Sequence, residues 1–149
     1  MKTYIYAAYG SNLNHAQMAV RCPKAVFVGT GKLKNHRLVF RGVADIESDR
    51  GSEVLVGLWR ITDACLAALD RYEGWPSVYE RDTFMVHKQK GSPVPAIAYY
   101  MNSIDYGSPT HGYYKSIADG YKDCGLQLDA LEDALMLTQE ICDQFNSYN

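Results

Sequence analysis

Two short segments carry residues able to do chemistry together. The first is Tyr9-Gly10-Ser11-Asn12-Leu13, which follows the apolar run Tyr4-Ile5-Tyr6-Ala7-Ala8. An extended segment that empties into Gly-Ser-Asn and then into helix-forming residues can present successive backbone N–H groups to a carboxylate or a developing oxyanion. Glycine lets such a backbone approach a ligand closely, and Ser11 and Asn12 add short donors. The same residues also suit a plain strand-to-helix turn capped by Asn12 or Asn14. The second segment, Leu69-Asp70-Arg71-Tyr72-Glu73-Gly74, sets a carboxylate in the last turn of an expected helix. The negative pole of the helix dipole and the apolar neighbours both disfavour its charged form, so its pKa is expected to climb from about 4.3 towards neutrality. An acid tuned in that way can take and return a proton near pH 7. The competing reading bends Glu73 into water or pairs it with Arg71 or Arg81.

These residues need elements to position them. A helix is predicted from an N-cap at Thr62 to Glu73, closed by Gly74 in the left-handed region. At about 100° per residue Cys65, Leu66, Leu69 and Tyr72 share one face, and Glu73 projects inward between Leu66 and Leu69, while Asp70 and Arg71 point away from the stripe. Asn14-His15-Ala16-Gln17 resembles a capping box, starting a short helix that ends before Pro23 and placing the Gly10-Ser11-Asn12 loop at its N-terminus. Further on, Thr110 to Cys124 repeats Tyr114, Ile117 and Tyr121 at helical spacing with Gly125 as a stop. Asp129-Ala130-Leu131-Glu132 then opens a longer helix with the stripe Leu131, Leu135, Thr138, Cys142 and Phe145.

Strand-like runs are expected at Thr3 to Ala8, Ala25 to Thr30, Arg37 to Arg41, Glu53 to Ile61, Asp82 to Lys88 and Val94 to Met101. Six strands need a closed or well-covered sheet. Helices flanking mostly consecutive strands point to an α+β domain, because regular strand-helix alternation is missing. The 149 residues, 47 % of them hydrophobic, suit one domain spanning 1–149 with one sizeable core.

Composition narrows the function classes. A formal charge of −2 provides no global positive field to attract nucleic acid. The one basic cluster, Lys32, Lys34, His36, Arg37 and Arg41, lacks interleaved stacking aromatics and reads as the solvated side of a strand. Met1-Lys2-Thr3 precedes only five apolar residues, too few for a signal-peptide core or a membrane span, so a cytoplasmic protein is expected. Cys22, Cys65, Cys124 and Cys142 show no C-x-x-C pair and read as reduced thiols. His15, His36, His87 and His111 lack metal-ligand spacing, so no metal site is expected.

Taken in order, Tyr9-Gly10-Ser11-Asn12-Leu13, then Gly31-Lys32-Leu33 leading to Arg37-Leu38-Val39-Phe40, then Leu69-Asp70-Arg71-Tyr72-Glu73-Gly74 with Tyr79 downstream, resemble the γ-glutamylcyclotransferase family. The similarity covers roughly the first hundred residues well. It continues more weakly through Pro109 to Leu128, where Tyr114-Lys115 and Gly125-Leu126 look like the family's later tyrosine-bearing segment. The resemblance implies a small mixed β-barrel of about six strands with flanking helices. It also implies release of a γ-glutamyl group as 5-oxoproline with liberation of an amine, without a cofactor. By the same resemblance Glu73 is the catalytic acid/base, Tyr9, Gly10, Ser11, Asn12 and Leu13 form the substrate-binding loop, and Tyr79 and Tyr114 are pocket tyrosines.

The implied reaction explains why no nucleophilic Ser or Cys is required: the substrate's own α-amine can close a five-membered ring on its γ-carbonyl. A hydrolytic role for Ser11 lacks both a G-x-S-x-G elbow and a recognisable His partner. The alternative from another class is a non-catalytic binder of a carboxylate-bearing metabolite. Arg81 could clamp a carboxylate or form a surface ion pair. Trp59 reads as core and Trp75 as a wall of the pocket. A small-molecule substrate is expected, with no nucleic-acid or membrane partner, for a monomer or homodimer. The outer wall that selects the leaving amine is expected from the loop after Gly74 and from Asn102 to Tyr113.

Overall fold

The computed structural model describes residues 2–147. Five strands form one mixed sheet in the order β2-β3-β1-β5-β4: β1 (Thr3–Ala8), β2 (Val26–Phe40), β3 (Ala44–Thr62), β4 (Tyr79–Val86) and β5 (Val94–Met101). Four helices flank it: α1 (His15–Arg21), α2 (Asp63–Glu73), α3 (His111–Cys124) and α4 (Asp129–Ser147). The central strand β1 runs antiparallel to β3, from Thr3 opposite Thr62 to Ala8 opposite Gly57, and parallel to β5 at Tyr6 and Ile97. All other pairings are antiparallel.

The expected closed barrel of about six strands is not what forms. Ala25 to Thr30 and Arg37 to Arg41, expected as two strands, are the two ends of the single strand β2. The stretch between them, residues 31–36, belongs to the strand as well, with register shifts between Phe27 and Gly29 and between Lys34 and His36. Such bulges let one strand bend without ending it. The strand expected from Glu53 begins at Ala44 instead, because Asp45 and Glu47 are paired by Arg41 and Arg37. Between the sheet's two edges, whose side chains also meet at His36 and Phe84, the backbones of the described residues pair at one antiparallel bridge, where Lys32 N–H donates to His87 C=O at 2.8 Å and His87 N–H to Lys32 C=O at 3.0 Å. One bridge is not a ladder, and the sheet remains open.

The helix ends follow the sequence closely. Asn14 accepts from Gln17 N–H at 3.1 Å, Thr62 from Cys65 N–H at 3.3 Å, and Thr110 from Tyr113 N–H at 3.3 Å. Each cap satisfies a donor that the first turn leaves without an internal acceptor. Gly74 terminates α2 at φ 69°, and Trp75 N–H reaches back to Asp70 C=O at 2.9 Å, which fixes where Glu73 stands.

The core joins Leu13, Met18, Leu58, Ile61, Leu69, Ile117, Tyr121 and Leu131 on the helix-covered sheet. The buried Thr138 Oγ1 of α4 accepts from Phe40 N–H at 3.0 Å, tying α4 to β2. Phe145, expected in the apolar stripe of α4, is 74 % exposed. Among the described residues no helix is long and apolar enough to cross a membrane.

Candidate active site

Strand β1 empties at Tyr9 and Gly10 into a single 3₁₀ turn, Ser11–Leu13. The turn closes when Leu13 N–H donates to Gly10 C=O at 3.0 Å and Asn14 N–H to Ser11 C=O at 3.0 Å. The N–H groups of Gly10, Ser11 and Asn12 therefore precede its first internal bond, as at any helical start. Gly120 of α3 supports the loop from behind. A Cβ there would stand 2.6 Å from Asn14 N and 2.7 Å from Leu13 C, so the helix backbone approaches this closely only without a side chain.

A cavity of about 330 Å³ opens against the loop, lined by Tyr9, Gly10, Ser11, Asn12, Glu73 and Tyr79 among others. Among the described residues six tyrosines line it: Tyr6, Tyr9, Tyr72, Tyr79, Tyr99 and Tyr113. Val43, from the turn between β2 and β3, and Ala44, the first residue of β3, form part of the wall. Glu73 is half-buried. Burial pushes its carboxyl up to about 7, partly opposed by the nearby charge of Arg21. Among the described residues this carboxyl group has no hydrogen-bond or ion-pair partner, so the readings that paired Glu73 with Arg71 or Arg81 do not hold.

The hydroxyl protons of the tyrosines divide into two kinds. Tyr9 Oη donates to Tyr99 C=O at 2.6 Å, and Tyr79 Oη donates to Ala44 C=O at 2.9 Å. Those protons are occupied in fixing the wall. Tyr6 Oη instead accepts from Asn12 Nδ2 at 3.0 Å, and Tyr113 Oη accepts from Ala44 N–H at 3.0 Å. Each of these two hydroxyls keeps its own proton for a ligand. Burial is the largest cause holding the phenols above their ordinary pKa, with Tyr113 pushed up to about 12. All are neutral where Glu73 titrates.

Some expected residues lie elsewhere. Leu13 is fully buried in the core behind the loop rather than lining the cavity. Tyr114 packs against Phe40 with ring centroids 6.1 Å apart, and its neighbour Tyr113 enters the cavity instead. Tyr113 and Tyr114 are both compatible with the Ile117 face, at four and three residues' distance, so periodicity alone did not separate them. Asp70, expected to meet solvent, accepts from Tyr99 Oη at 2.7 Å and pairs with Arg81 at 2.6 Å. Arg81 stacks on Trp75 at 4.2 Å. Both therefore buttress α2 against β4 and β5, and Trp75 does not line the cavity. Trp59 is buried, as expected of a core residue.

The sequence reading singled out neither Tyr6 nor Arg21, and held Tyr113 only as the end of the outer-wall segment expected from Asn102, of which Tyr113 does line the cavity. Tyr6 was legible only as strand alternation, and Arg21 carried no motif of its own. Among the described residues no group of three or more His, Cys, Asp or Glu side chains is placed to hold a metal ion. The site can therefore bind an anionic or carbonyl oxygen through neutral donors and move a proton through one tuned carboxyl group.

Comparison with known proteins places the chain in a family. The family model "Gamma-glutamyl cyclotransferase, AIG2-like" matches residues 6–121. The gamma-glutamylcyclotransferase of Bos taurus is 30 % identical over 141 residues, covering 86 % of this chain and 75 % of the bovine protein. That of Mus musculus is 31 % identical over 138 residues, covering 84 % and 73 %. A solved structure named gamma-glutamyl cyclotransferase superposes with a TM-score of 0.82 at 27 % identity, covering 89 % of this chain and 86 % of the other. With a matching model across most of its length and relatives aligned over most of theirs, this chain belongs to the AIG2-like γ-glutamyl cyclotransferase family.

Proposed function

We propose that Glu73 is the single proton carrier of a γ-glutamyl cyclotransfer reaction, in which a γ-glutamyl amide is converted to 5-oxoproline and a free amine. Membership of the family makes the chain an enzyme of this general type, acting on a small molecule. The supporting observation is an unpaired, half-buried carboxyl group near neutrality, in one cavity with the loop after β1.

The chemistry follows from the substrate's own tether. Its α-ammonium gives a proton to the Glu73 carboxylate, and the freed amine attacks the γ-carbonyl carbon to form the ring C–N bond. The carbonyl oxygen becomes an oxyanion, held by N–H groups of Gly10, Ser11 or Asn12 and by the spare hydroxyl protons of Tyr6 or Tyr113. Glu73, now protonated, passes its proton to the leaving nitrogen as the old C–N bond breaks. The carbonyl re-forms, the second proton left on the ring nitrogen passes through the Glu73 carboxylate to the departing amine, which leaves as an ammonium ion, and the carboxylate is restored. Well-oriented intramolecular attack reaches effective molarities of order 10⁵ to 10⁸ M, so folding the substrate supplies much of the rate.

The test is a panel of γ-glutamyl amino acids and γ-glutamylamines, with 5-oxoproline and released amine quantified together. Equal amounts of both products from at least one member are expected. Glutamate in place of 5-oxoproline would mean hydrolysis and would remove the cyclisation.

A further inference from the structure

Arg21 is the last residue of α1 and is half-buried. Its Nη1 donates to Ser11 Oγ at 3.3 Å and also to Asn12 Oδ1. The guanidinium carbon lies 3.6 Å from the centroid of the Tyr72 ring, and Tyr72 immediately precedes Glu73. One side chain thus links the loop after β1 to the end of the helix that carries the acid. Asn12 passes the constraint on, since its Nδ2 donates to Tyr6 Oη and thereby leaves the Tyr6 proton free for a ligand.

The titratable groups that feel the charge of Glu73 come from several elements. Tyr6 belongs to β1, Tyr9 follows it, and Tyr79, Tyr99 and Tyr113 belong to β4, β5 and α3. These five phenols are neutral in the range in which the acid titrates. Arg21 is the cation that acts on Glu73 among the described residues, and it favours the carboxylate against burial.

We infer that Arg21 is a positioning residue for the cyclotransfer reaction: its guanidinium clamps the side chains of Ser11 and Asn12, stacks on Tyr72, and so holds the substrate loop in register with Glu73 while supplying the positive charge that faces it. This inference rests on the reading of Glu73 as the proton carrier. Lysine would supply charge without the planar fork, so the two contributions can be separated.

Three variants divide them. Arg21→Met keeps an apolar stem, Arg21→Gln keeps one donor without the charge, and Arg21→Lys keeps the charge without the fork. Two readouts are taken: titration of the Glu73 carboxyl by ¹³C NMR, which needs no turnover, and kcat and KM for 5-oxoproline release against pH. Arg21→Met and Arg21→Gln are expected to move the Glu73 midpoint and the acidic limb of kcat/KM to higher pH. In Arg21→Met, KM is expected to rise roughly tenfold or more as the charged donors are lost. Arg21→Lys is expected to return the midpoint towards wild type while KM stays raised.

A merely structural arginine would lower the melting temperature and leave the midpoint unmoved in Arg21→Gln. That result overturns the inference, as does an Arg21→Met enzyme within about twofold of wild type at every pH. Failure of the underlying reading is distinguishable, because it appears as normal 5-oxoproline release by Glu73→Gln whatever the arginine variants do.

Discussion

Replacing Glu73 by glutamine is expected to slow the enzyme and stabilise the fold in one step, the second effect appearing only where a free carboxyl group ionises. The carboxyl rises from 4.5 to about 7 on folding. Below pH 4 it is neutral in both states and contributes nothing. Between those values the unfolded chain ionises while the folded protein keeps its proton, so the folded state binds more protons and loses stability as pH rises. Above the folded pKa both states are charged and the cost levels off. At about 1.4 kcal/mol per pKa unit, this cost is on the order of 3 kcal/mol.

Glutamine does not ionise and escapes that cost. Glu73→Gln is therefore expected to melt on the order of 5 to 10 °C above wild type at pH 8, with little difference at pH 4. Its rate of 5-oxoproline release is expected to fall by about 10² to 10⁴, since an amide cannot shuttle the proton. Thermal or urea unfolding of both proteins across pH, paired with product assays, tests both effects. A stability difference independent of pH would show that the Glu73 carboxyl is solvated. Undiminished turnover would falsify its role as proton carrier.

Three further outcomes follow from the geometry. Tyr113→Phe removes a spare hydroxyl proton and leaves Ala44 N–H without its acceptor, so kcat/KM is expected to drop about tenfold or more. Tyr114→Phe should leave it within about twofold, because that ring packs on Phe40 outside the cavity. Steady-state kinetics on the pair separates the two tyrosines. Leu13→Ala, truncating a fully buried side chain, is expected to cost about 2 to 5 kcal/mol in urea denaturation. Gly120→Ala places a Cβ against the Leu13 and Asn14 backbone, which is expected to cost about 1 to 3 kcal/mol and to raise KM by displacing the loop.

The helices and the acid were legible because their signals are local. Thr62, Gly74, Thr110 and Gly125 each state a helix boundary within a few residues, and a helical repeat then fixes which way Glu73 faces. The sheet was not legible in the same way. Gly31 to Lys34 and His36 pair with β3 while Asn35 bulges out between them at φ 61°, and no residue near them encodes that long-range ladder. The acidic first half of β3 was hidden for a related reason. Asp45 and Glu47 look like loop residues until Arg41 and Arg37 are brought beside them by the hairpin. Barrel closure was implied by likeness rather than by any residue pattern, and the geometry at Lys32 and His87 stops at one bridge.

On the proposed role of Glu73 as proton carrier, the choice of donors in the cavity has a chemical reason. A substrate carboxylate or oxyanion could be bound most strongly by arginine or lysine, but each added cation beside Glu73 would lower its pKa away from neutrality and weaken it as an acid. Backbone N–H groups and phenols hold an oxygen while carrying no net charge. Tyr9 and Tyr79 use their protons to fix the wall, whereas Tyr6 and Tyr113 are fed by Asn12 and Ala44 so that theirs remain available. Among the described residues the cation acting on Glu73 is Arg21, which has Nη1 engaged by Ser11 and Asn12 and its face against Tyr72. It can offset part of the desolvation of Glu73, leaving the carboxyl near 7, where taking a proton from an ammonium group and returning it to a departing nitrogen are both accessible.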